Sequence, residues 1–164
     1  LMQGREFDAE EIERIEVATY HVSADLTGPF KSGSAEQAKF SLPYCLDVAL
    51  LHKRVSLSEF SPAMLQDPQI ARLAGKVVIH EDKEMTERFP RDRMAVVKIH
   101  LRNGQVFGES VVKPLGPPAR STLEDKFLSL AGMHVDRNRA GEILESVLRL
   151  DEMGTIDPLM KMLL

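Results

Sequence analysis

The sequence predicts an α+β domain in which helices cover one face of a mainly antiparallel sheet of about four strands. The clearest β segment is 95–114, where apolar residues alternate and Asn103-Gly104 supplies the turn preferred in two-residue hairpins. β-branched segments at 14–21 and 76–80 predict the other strands, and helix-capping patterns lie between and after them. With 164 residues, the chain can bury roughly 70% of its unfolded surface as one domain.

Composition and charge narrow the class of protein. Lysine and arginine number 21 and aspartate and glutamate 25, a net charge of −4, and no basic cluster marks a nucleic-acid surface. No apolar run approaches the ~20 residues of a membrane span, so neither nucleic acid nor a membrane is expected as a partner. A single cysteine, Cys45, cannot form an internal disulfide, and the absence of a signal-peptide pattern favours the cytoplasm. The opening at Leu1 reads as a piece of a longer protein.

The N-terminal elements follow from local patterns. Residues 1–6 resemble the tail of a helix, and Asp8 with Glu11 has the spacing of a capping box, which predicts a short helical turn. The first strand follows over 14–21. The Gly-, Pro- and Ser-rich segment 25–34 predicts a loop, and a helical turn is expected over 35–40.

The most continuous apolar run, residues 40–52, predicts the central helix. Ser41 can cap it and Pro43 fits its first turn, so we expect the helix to begin near 41–43 and to continue to about 53. Tyr44 falls in that first turn, where free N–H groups and the helix dipole can bind an anion such as a carboxylate. Asp47 is the one polar residue between Tyr44 and His52, so protein is expected to surround most of the helix.

Short helices are predicted after the central one. Ser56 and Glu59 have capping-box spacing, and a second short helix follows in SPAML. In DPQIARLAGKV, Asp67 is the expected cap and Gly75 the expected end. After the strand at 76–80, the charged segment 83–94 predicts a solvated connection.

The C-terminal part is predicted to be helical. Residues 116–121 read as a linker, after which Ser121 or Thr122 would cap the helix LEDKFLSLAG. A second amphipathic helix is expected in NRAGEILESVLRLDEM, and a third in IDPLMKMLL, where Asp157 is the expected cap. The apolar stripe of the second helix consists of Ile143, Val147 and Leu150.

Few residues have the spacing of a catalytic or metal centre. The five histidines are scattered, and no pair has the i,i+4 spacing of metal ligands: His21, His52, His80, His100 and His134. GxSxG, P-loop and GxGxxG motifs are absent, so the sequence lacks the motifs that position the nucleophile of a hydrolase or the phosphates of an NTP or a dinucleotide. Cys45 is either a nucleophile near a helix N-terminus or a small buried hydrophobe. Asp47 is either solvent-facing or a buried acid with a partner, and Tyr44 is either a carboxylate ligand or a core aromatic with a satisfied hydroxyl.

Five segments, in this order and spacing, extend over essentially the whole chain: IERIEV, AKFSLPYCLDVALL, DPQIARLAGKVVI, LRNGQVF and LEDKF. Together they resemble the C-terminal half of the MmgE/PrpD family, and FSLPYC followed by an apolar helix is the most specific of them. The family includes 2-methylcitrate dehydratase, cis-aconitate decarboxylase and iminodisuccinate epimerase.

The resemblance implies a two-domain subunit in which a small α+β lid closes over a large all-helical domain. Residues 1–118 would form the lid, and residues 119–164 would be helices that return to pack on the helical domain absent from this chain. A homodimer is implied, and the family uses no metal, iron–sulfur cluster or organic cofactor. Tyr44 is the one active-site residue that maps onto this sequence, as a catalytic and substrate-binding residue, with Ser41 as a substrate-binding neighbour. The remaining acids and bases, including a lysine and a histidine of the lid, would precede Leu1.

The expected function is therefore that of the lid of a cofactor-independent lyase acting on a small di- or tricarboxylate. Dehydration of 2-methylcitrate, a step of propionate metabolism, is the first expectation. Decarboxylation of cis-aconitate and epimerisation of iminodisuccinate are alternatives within the family. A non-catalytic α+β binding module is the alternative from another class, and the chain alone is expected to be inactive.

Overall fold

A computed structural model describes residues 7–28, 33–113 and 118–163 of the chain. These residues fall into two compact units, 1–114 and 115–164. The predicted helical tail at 1–6 lies outside the described residues.

The first unit is built on a four-stranded sheet. Its strands are β1 (Ile12–Thr19), β2 (Val77–Glu81), β3 (Ala95–Leu101) and β4 (Val106–Val111), in the spatial order β2-β1-β3-β4. β1 pairs in parallel with β2 and antiparallel with β3, and β3 pairs antiparallel with β4. The predicted α+β class and mainly antiparallel sheet are confirmed.

Within its described residues, the first unit has six α-helices, and each is short except the central one. They are α1 (His21–Thr27), α2 (Ala35–Lys39), α3 (Leu42–His52), α4 (Pro62–Leu65), α5 (Pro68–Ala74) and α6 (Lys83–Arg88). Two 3-10 helices accompany them, at Ala9–Glu11 and Leu57–Phe60. The capping boxes predicted at Asp8 and Ser56 are both present, and Asp67 caps α5 through the N–H of Gln69.

The predicted loop at 25–34 and the predicted solvated connection at 83–94 are both partly wrong, because α1 and α6 extend into these segments. α1 includes residues 25–27 of the predicted loop, and His21, placed in a strand by the sequence, begins this helix. Long-range contacts hold the pair: the His21 N–H donates to Thr86 Oγ1 at 2.9 Å, and the Tyr20 ring stacks on Phe89 at 4.6 Å. Asp82 caps α6 by accepting from the N–H of Met85, whose side chain is buried.

The hairpin is confirmed, but its turn is longer than predicted. The Gly104 N–H donates to the Leu101 carbonyl, and the Leu101 N–H donates to the main-chain carbonyl of Gln105, both at 2.9 Å. Gly104 has φ +85°, and among the described residues only Lys53 is a non-glycine with positive φ, so Asn103 does not adopt the left-handed conformation that a two-residue turn needs. The loop therefore has three residues, with glycine in the left-handed position.

The core of the first unit consists of two apolar clusters on either side of α3. One joins the inner face of the sheet to α3 and α5 and contains Ile12, Ile15, Val17, Leu50, Leu73, Ile99 and Leu101. The other joins α2, α3 and α5 and contains Ala38, Tyr44, Val48 and Ile70. α3 and α5 are thus the helices that both clusters share.

The second unit contains α7 (Arg120–Ala131), α8 (Arg137–Leu148) and α9 (Asp157–Leu163). Ala119 precedes α7 without a side-chain cap, so the predicted caps Ser121 and Thr122 lie inside its first turn. Asp157 is likewise the first residue of α9 rather than its cap. The Arg139 guanidinium of α8 donates to the Met162 carbonyl at 2.8 Å and so ties these two helices together. None of the described helices is long and apolar enough to cross a membrane.

The apolar stripe predicted on the second C-terminal helix is divided in the second unit, because α8 ends at Leu148 and Leu150 begins a separate 3-10 helix, Leu150–Glu152. Ile143 is buried, whereas Val147 and Leu150 are 46% and 45% exposed. Further large apolar side chains of this unit are also exposed: Leu123, Met133, Ile156, Met160 and Leu163. Such a density of exposed apolar groups is typical of a surface that another protein segment covers.

Candidate functional site

The first turn of α3 has the local structure that the sequence predicts. The Ser41 hydroxyl accepts a hydrogen bond from the Tyr44 N–H at 3.4 Å. Pro43 occupies the first turn, where the missing N–H of proline would have had no acceptor within the helix. Ser41 and Tyr44 are both fully buried. α3 ends at His52, and Lys53 follows in the left-handed conformation with φ 59°.

Tyr44 makes its hydroxyl contact with a turn fifteen residues further along the chain. The phenolic O–H donates to the main-chain carbonyl of Glu59 at 2.6 Å, and the ring packs at a tilt against Phe60 with 5.6 Å between centroids. Burial is the largest cause of the raised pKa of the Tyr44 phenol, and the neighbouring Cys45, Asp67 and Glu59 add to it. Tyr44 is therefore a protonated hydrogen-bond donor, and its geometry here is that of a core aromatic with a satisfied hydroxyl.

The turn that accepts the hydrogen bond from Tyr44 is fixed by a buried carboxylate. The Glu59 side chain is 4% exposed and accepts hydrogen bonds from the Ser56 N–H at 2.8 Å, the Ser58 hydroxyl at 2.7 Å and Arg54 Nε at 3.0 Å. Burial by itself raises the pKa of Glu59, but the hydrogen bonds from Ser58, Ser56 and Arg54 outweigh it and lower the pKa to about 2. The carboxylate thus stays charged and holds its own main-chain carbonyl against Tyr44.

Glu59 and Arg54 are the components of this site that sequence reasoning missed. The spacing of Ser56 and Glu59 predicted a capping box, but a capping box is a local feature and does not indicate which distant side chain the turn meets. The contact between Tyr44 and Glu59 depends on how the 3-10 helix Leu57–Phe60 packs over α3.

The two other candidate residues on α3 are Cys45 and Asp47. Cys45 is half-buried, burial raises the pKa of its thiol, and Sγ donates to the Ala38 carbonyl at 3.7 Å, so it is a protonated thiol rather than a thiolate nucleophile. Asp47 is neither solvent-facing nor partnered: it is fully buried, and neither carboxyl oxygen has a hydrogen-bond partner among the described residues.

The described histidines do not assemble into a metal centre. His100 Nε2 lies 3.1 Å from the Glu16 carboxylate on the outer face of the sheet, and His21 Nδ1 lies 3.3 Å from Glu81. Across residues 7–28, 33–113 and 118–163, no three His, Cys, Asp or Glu side chains are placed to hold a metal ion. The first turn of α3 instead presents a buried phenol, and both donors of Tyr44 already have acceptors, the N–H in the Ser41 hydroxyl and the O–H in the Glu59 carbonyl.

Comparison of the sequence with known proteins shows the family to which it is similar. The sequence matches the MmgE/PrpD C-terminal domain over residues 1–152. It is 33% identical over 135 residues to a cis-aconitate decarboxylase from Aspergillus terreus, and 31% identical over 135 residues to the cis-aconitate decarboxylase of Aspergillus terreus strain NIH 2624 / FGSC A1156. Each alignment covers 79% of this chain and 28% of the relative. The chain therefore spans little more than a quarter of the length of the curated relatives it matches.

Proposed function

The chain belongs to the MmgE/PrpD family, and we propose that it is the lid domain of a cofactor-independent lyase acting on a small di- or tricarboxylate. The observation that carries this proposal is the match of residues 1–152 to the family's C-terminal domain, whose relatives include enzymes named as cis-aconitate decarboxylases. In the proposed division, residues 1–118 form the lid, and residues 119–164 pack on a helical domain of the same protein.

The exposed apolar side chains of the second unit support that division. Val147, Leu150 and Ile156 are each at least 45% exposed, and the alignments leave 72% of each relative's length outside the match. A further domain has ample length to cover these side chains. We propose that it does so, and that the complete enzyme is a homodimer in the cytoplasm.

Tyr44 is the proposed substrate contact of this domain, with Ser41 as its neighbour. Because its pKa is raised, Tyr44 can donate a proton or a hydrogen bond at neutral pH but cannot act there as a base. Its hydroxyl donates to the neutral Glu59 carbonyl, and a substrate carboxylate would be the stronger acceptor because it is charged. Closure of the lid over the substrate would therefore exchange the Glu59 carbonyl for the substrate carboxylate and exclude water. Ser41 would hold the N–H of Tyr44 during this exchange.

Which reaction the enzyme catalyses on its carboxylate substrate is proposed separately. The named relatives favour decarboxylation of cis-aconitate. Dehydration of 2-methylcitrate in propionate metabolism and epimerisation of iminodisuccinate use related proton transfers next to a carboxylate, and they stand as the alternatives.

The test is to incubate the full-length protein, treated with a chelator, with cis-aconitate, 2-methylcitrate and iminodisuccinate and to identify the products by NMR. We expect one of these acids to be converted, and the product distinguishes loss of carbon dioxide, loss of water and inversion. The 164-residue chain alone should convert none of them. Saturable binding of a carboxylate by the full-length protein without any conversion would instead favour the binding-module alternative.

A further inference from the structure

Asp47 is a buried acid that the proposed function does not use. It lies on α3 one turn after Tyr44, is fully buried, and has no hydrogen-bond partner at either carboxyl oxygen within the described residues. With 3.6 residues per turn, Asp47 falls between the stripe of Tyr44 and Val48, which belongs to one apolar cluster, and Leu50, which belongs to the other. The carboxyl group is therefore buried on the side of α3 that lies between the two apolar clusters.

The ionisable groups that the structure describes on the surrounding elements do not compensate Asp47. On α3 itself and on the segments packed against it, the described groups are Glu36, Lys39, Tyr44, Cys45, His52, Lys53, Arg54, Glu59, Asp67 and Arg72. Several are engaged elsewhere: Arg54 bonds to Glu59, Arg72 pairs with Glu10, and Tyr44 donates to the Glu59 carbonyl.

The strands of the sheet do not compensate Asp47 either. Their ionisable side chains, such as Glu16, Lys98 and His100, alternate with the buried Ile15 and Ile99 and so lie on the face turned away from α3.

An ionised carboxylate in such surroundings would lose its hydration without gaining a partner, whereas a neutral carboxyl group loses much less. We infer that Asp47 is a proton-binding site in the core of the first unit, so that folding takes up one proton and an alkaline pH loosens the packing around α3. Burial, with no contribution from any neighbouring charge, raises the pKa of Asp47 from 3.8 to about 8 in the folded chain.

The direction of the pH dependence follows from linkage. Because the folded pKa lies above the unfolded one, the folded chain binds a proton that the unfolded chain has released at any pH between about 4 and 8. The stability supplied by the neutral carboxyl is complete below pH 4 and is lost as the pH rises to about 8. Each pH unit within that window should lower the folding equilibrium constant about tenfold relative to a variant that cannot ionise at this position.

The experiment compares urea unfolding of the wild-type chain and Asp47→Asn from pH 5 to pH 9. Asparagine has nearly the shape of the protonated acid, so the wild-type folding constant, divided by that of the variant, should fall about tenfold per unit up to pH 8 and then level off. Glu13→Gln serves as the matched control, because Glu13 is exposed and its ratio should not change with pH. A ratio for Asp47→Asn that is independent of pH would overturn the inference.

A second measurement needs no variant and covers the case in which Asp47→Asn fails to fold. The side-chain carboxyl carbon of Asp47 in the folded wild-type chain, followed by NMR, should titrate near pH 8. Titration near pH 4 would show that the group ionises freely and would overturn the inference. Both measurements are independent of substrate turnover, so they can fail without affecting the proposed lyase function.

Discussion

Replacing Glu59 with glutamine tests whether a buried carboxylate fixes the turn that covers Tyr44. The wild-type carboxylate accepts from the Ser56 N–H, the Ser58 hydroxyl and Arg54 Nε. Hydrogen bonds to a charged group contribute roughly 1.5–3 kcal/mol each, against about 0.5–1.5 kcal/mol for neutral pairs. The Arg54 side chain is 68% exposed, so its ion pair adds little. The two serine bonds each weaken by about 1 kcal/mol, and the free energy of unfolding should fall by about 2 kcal/mol.

The assay is urea unfolding at pH 7 followed by far-UV circular dichroism, since the chain contains no tryptophan. Glu11→Gln is a matched control, because Glu11 occupies the same position in the capping box of Asp8 but is exposed. Glutamine also serves in capping boxes, so this control should cost about 0.5 kcal/mol or less. Equal costs for the two variants would refute the argument.

The same argument fixes the behaviour of Glu59 in acid. Its pKa is lowered from 4.5 to about 2, so its contribution is complete above pH 4.5 and is lost as the pH falls towards 2. The stability difference between the wild type and Glu59→Gln should therefore shrink over that interval.

Two further predictions concern glycines and association. Both Gly104 and Gly141 have open space for a Cβ atom, so backbone conformation decides the effect of alanine. Gly104→Ala should lower the free energy of unfolding by about 1 kcal/mol because φ +85° is strained for alanine, whereas Gly141→Ala inside α8 should raise it by about 0.5–1 kcal/mol. Urea unfolding measures both changes. The isolated chain should self-associate through the exposed apolar side chains of the second unit, and Val147→Lys should reduce the association seen by light scattering while Glu145→Lys, on the same helix, should not. A wild-type chain that is strictly monomeric would contradict the second prediction.

Local capping chemistry explains why the sequence predicts α3 and α5 well. Ser41 and Asp67 each precede a proline in the first turn of their helix, and both residues accept the N–H that the pattern assigns to them. The hairpin is predicted for the same reason, since Gly104 is required by the backbone of its own turn. These features depend on residues only a few positions apart.

Contacts between distant segments account for what the sequence does not reveal. α1 has no side-chain cap and is held by Thr86 and Phe89, which are more than sixty residues away. The bond from Tyr44 to the Glu59 carbonyl likewise requires a turn to pack over α3.

Asp47 is an intermediate case, because the sequence contains part of the answer. Its neighbours one turn away on α3 are Pro43, Tyr44, Leu50 and Leu51, of which only Tyr44 carries a polar group. The sequence therefore leaves only Tyr44 as a possible partner on α3, and the structure shows that the Tyr44 hydroxyl bonds to the Glu59 carbonyl instead. The absence of a partner on the other described elements depends on how they pack.

The central claim is that the first turn of α3 forms part of a carboxylate site, and Tyr44→Phe in the full-length enzyme tests it most directly. The substitution removes one oxygen, leaves no large cavity, and should cost about 1–2 kcal/mol of stability through the lost bond to Glu59. If Tyr44 also donates to the substrate, kcat on the converted acid should fall by roughly 10- to 150-fold, the equivalent of one hydrogen bond to a charged group. Tyr20→Phe, the other tyrosine of the chain, should leave kcat unchanged. An unchanged kcat in Tyr44→Phe, with only the loss of stability, would contradict the claim and leave Tyr44 a core residue.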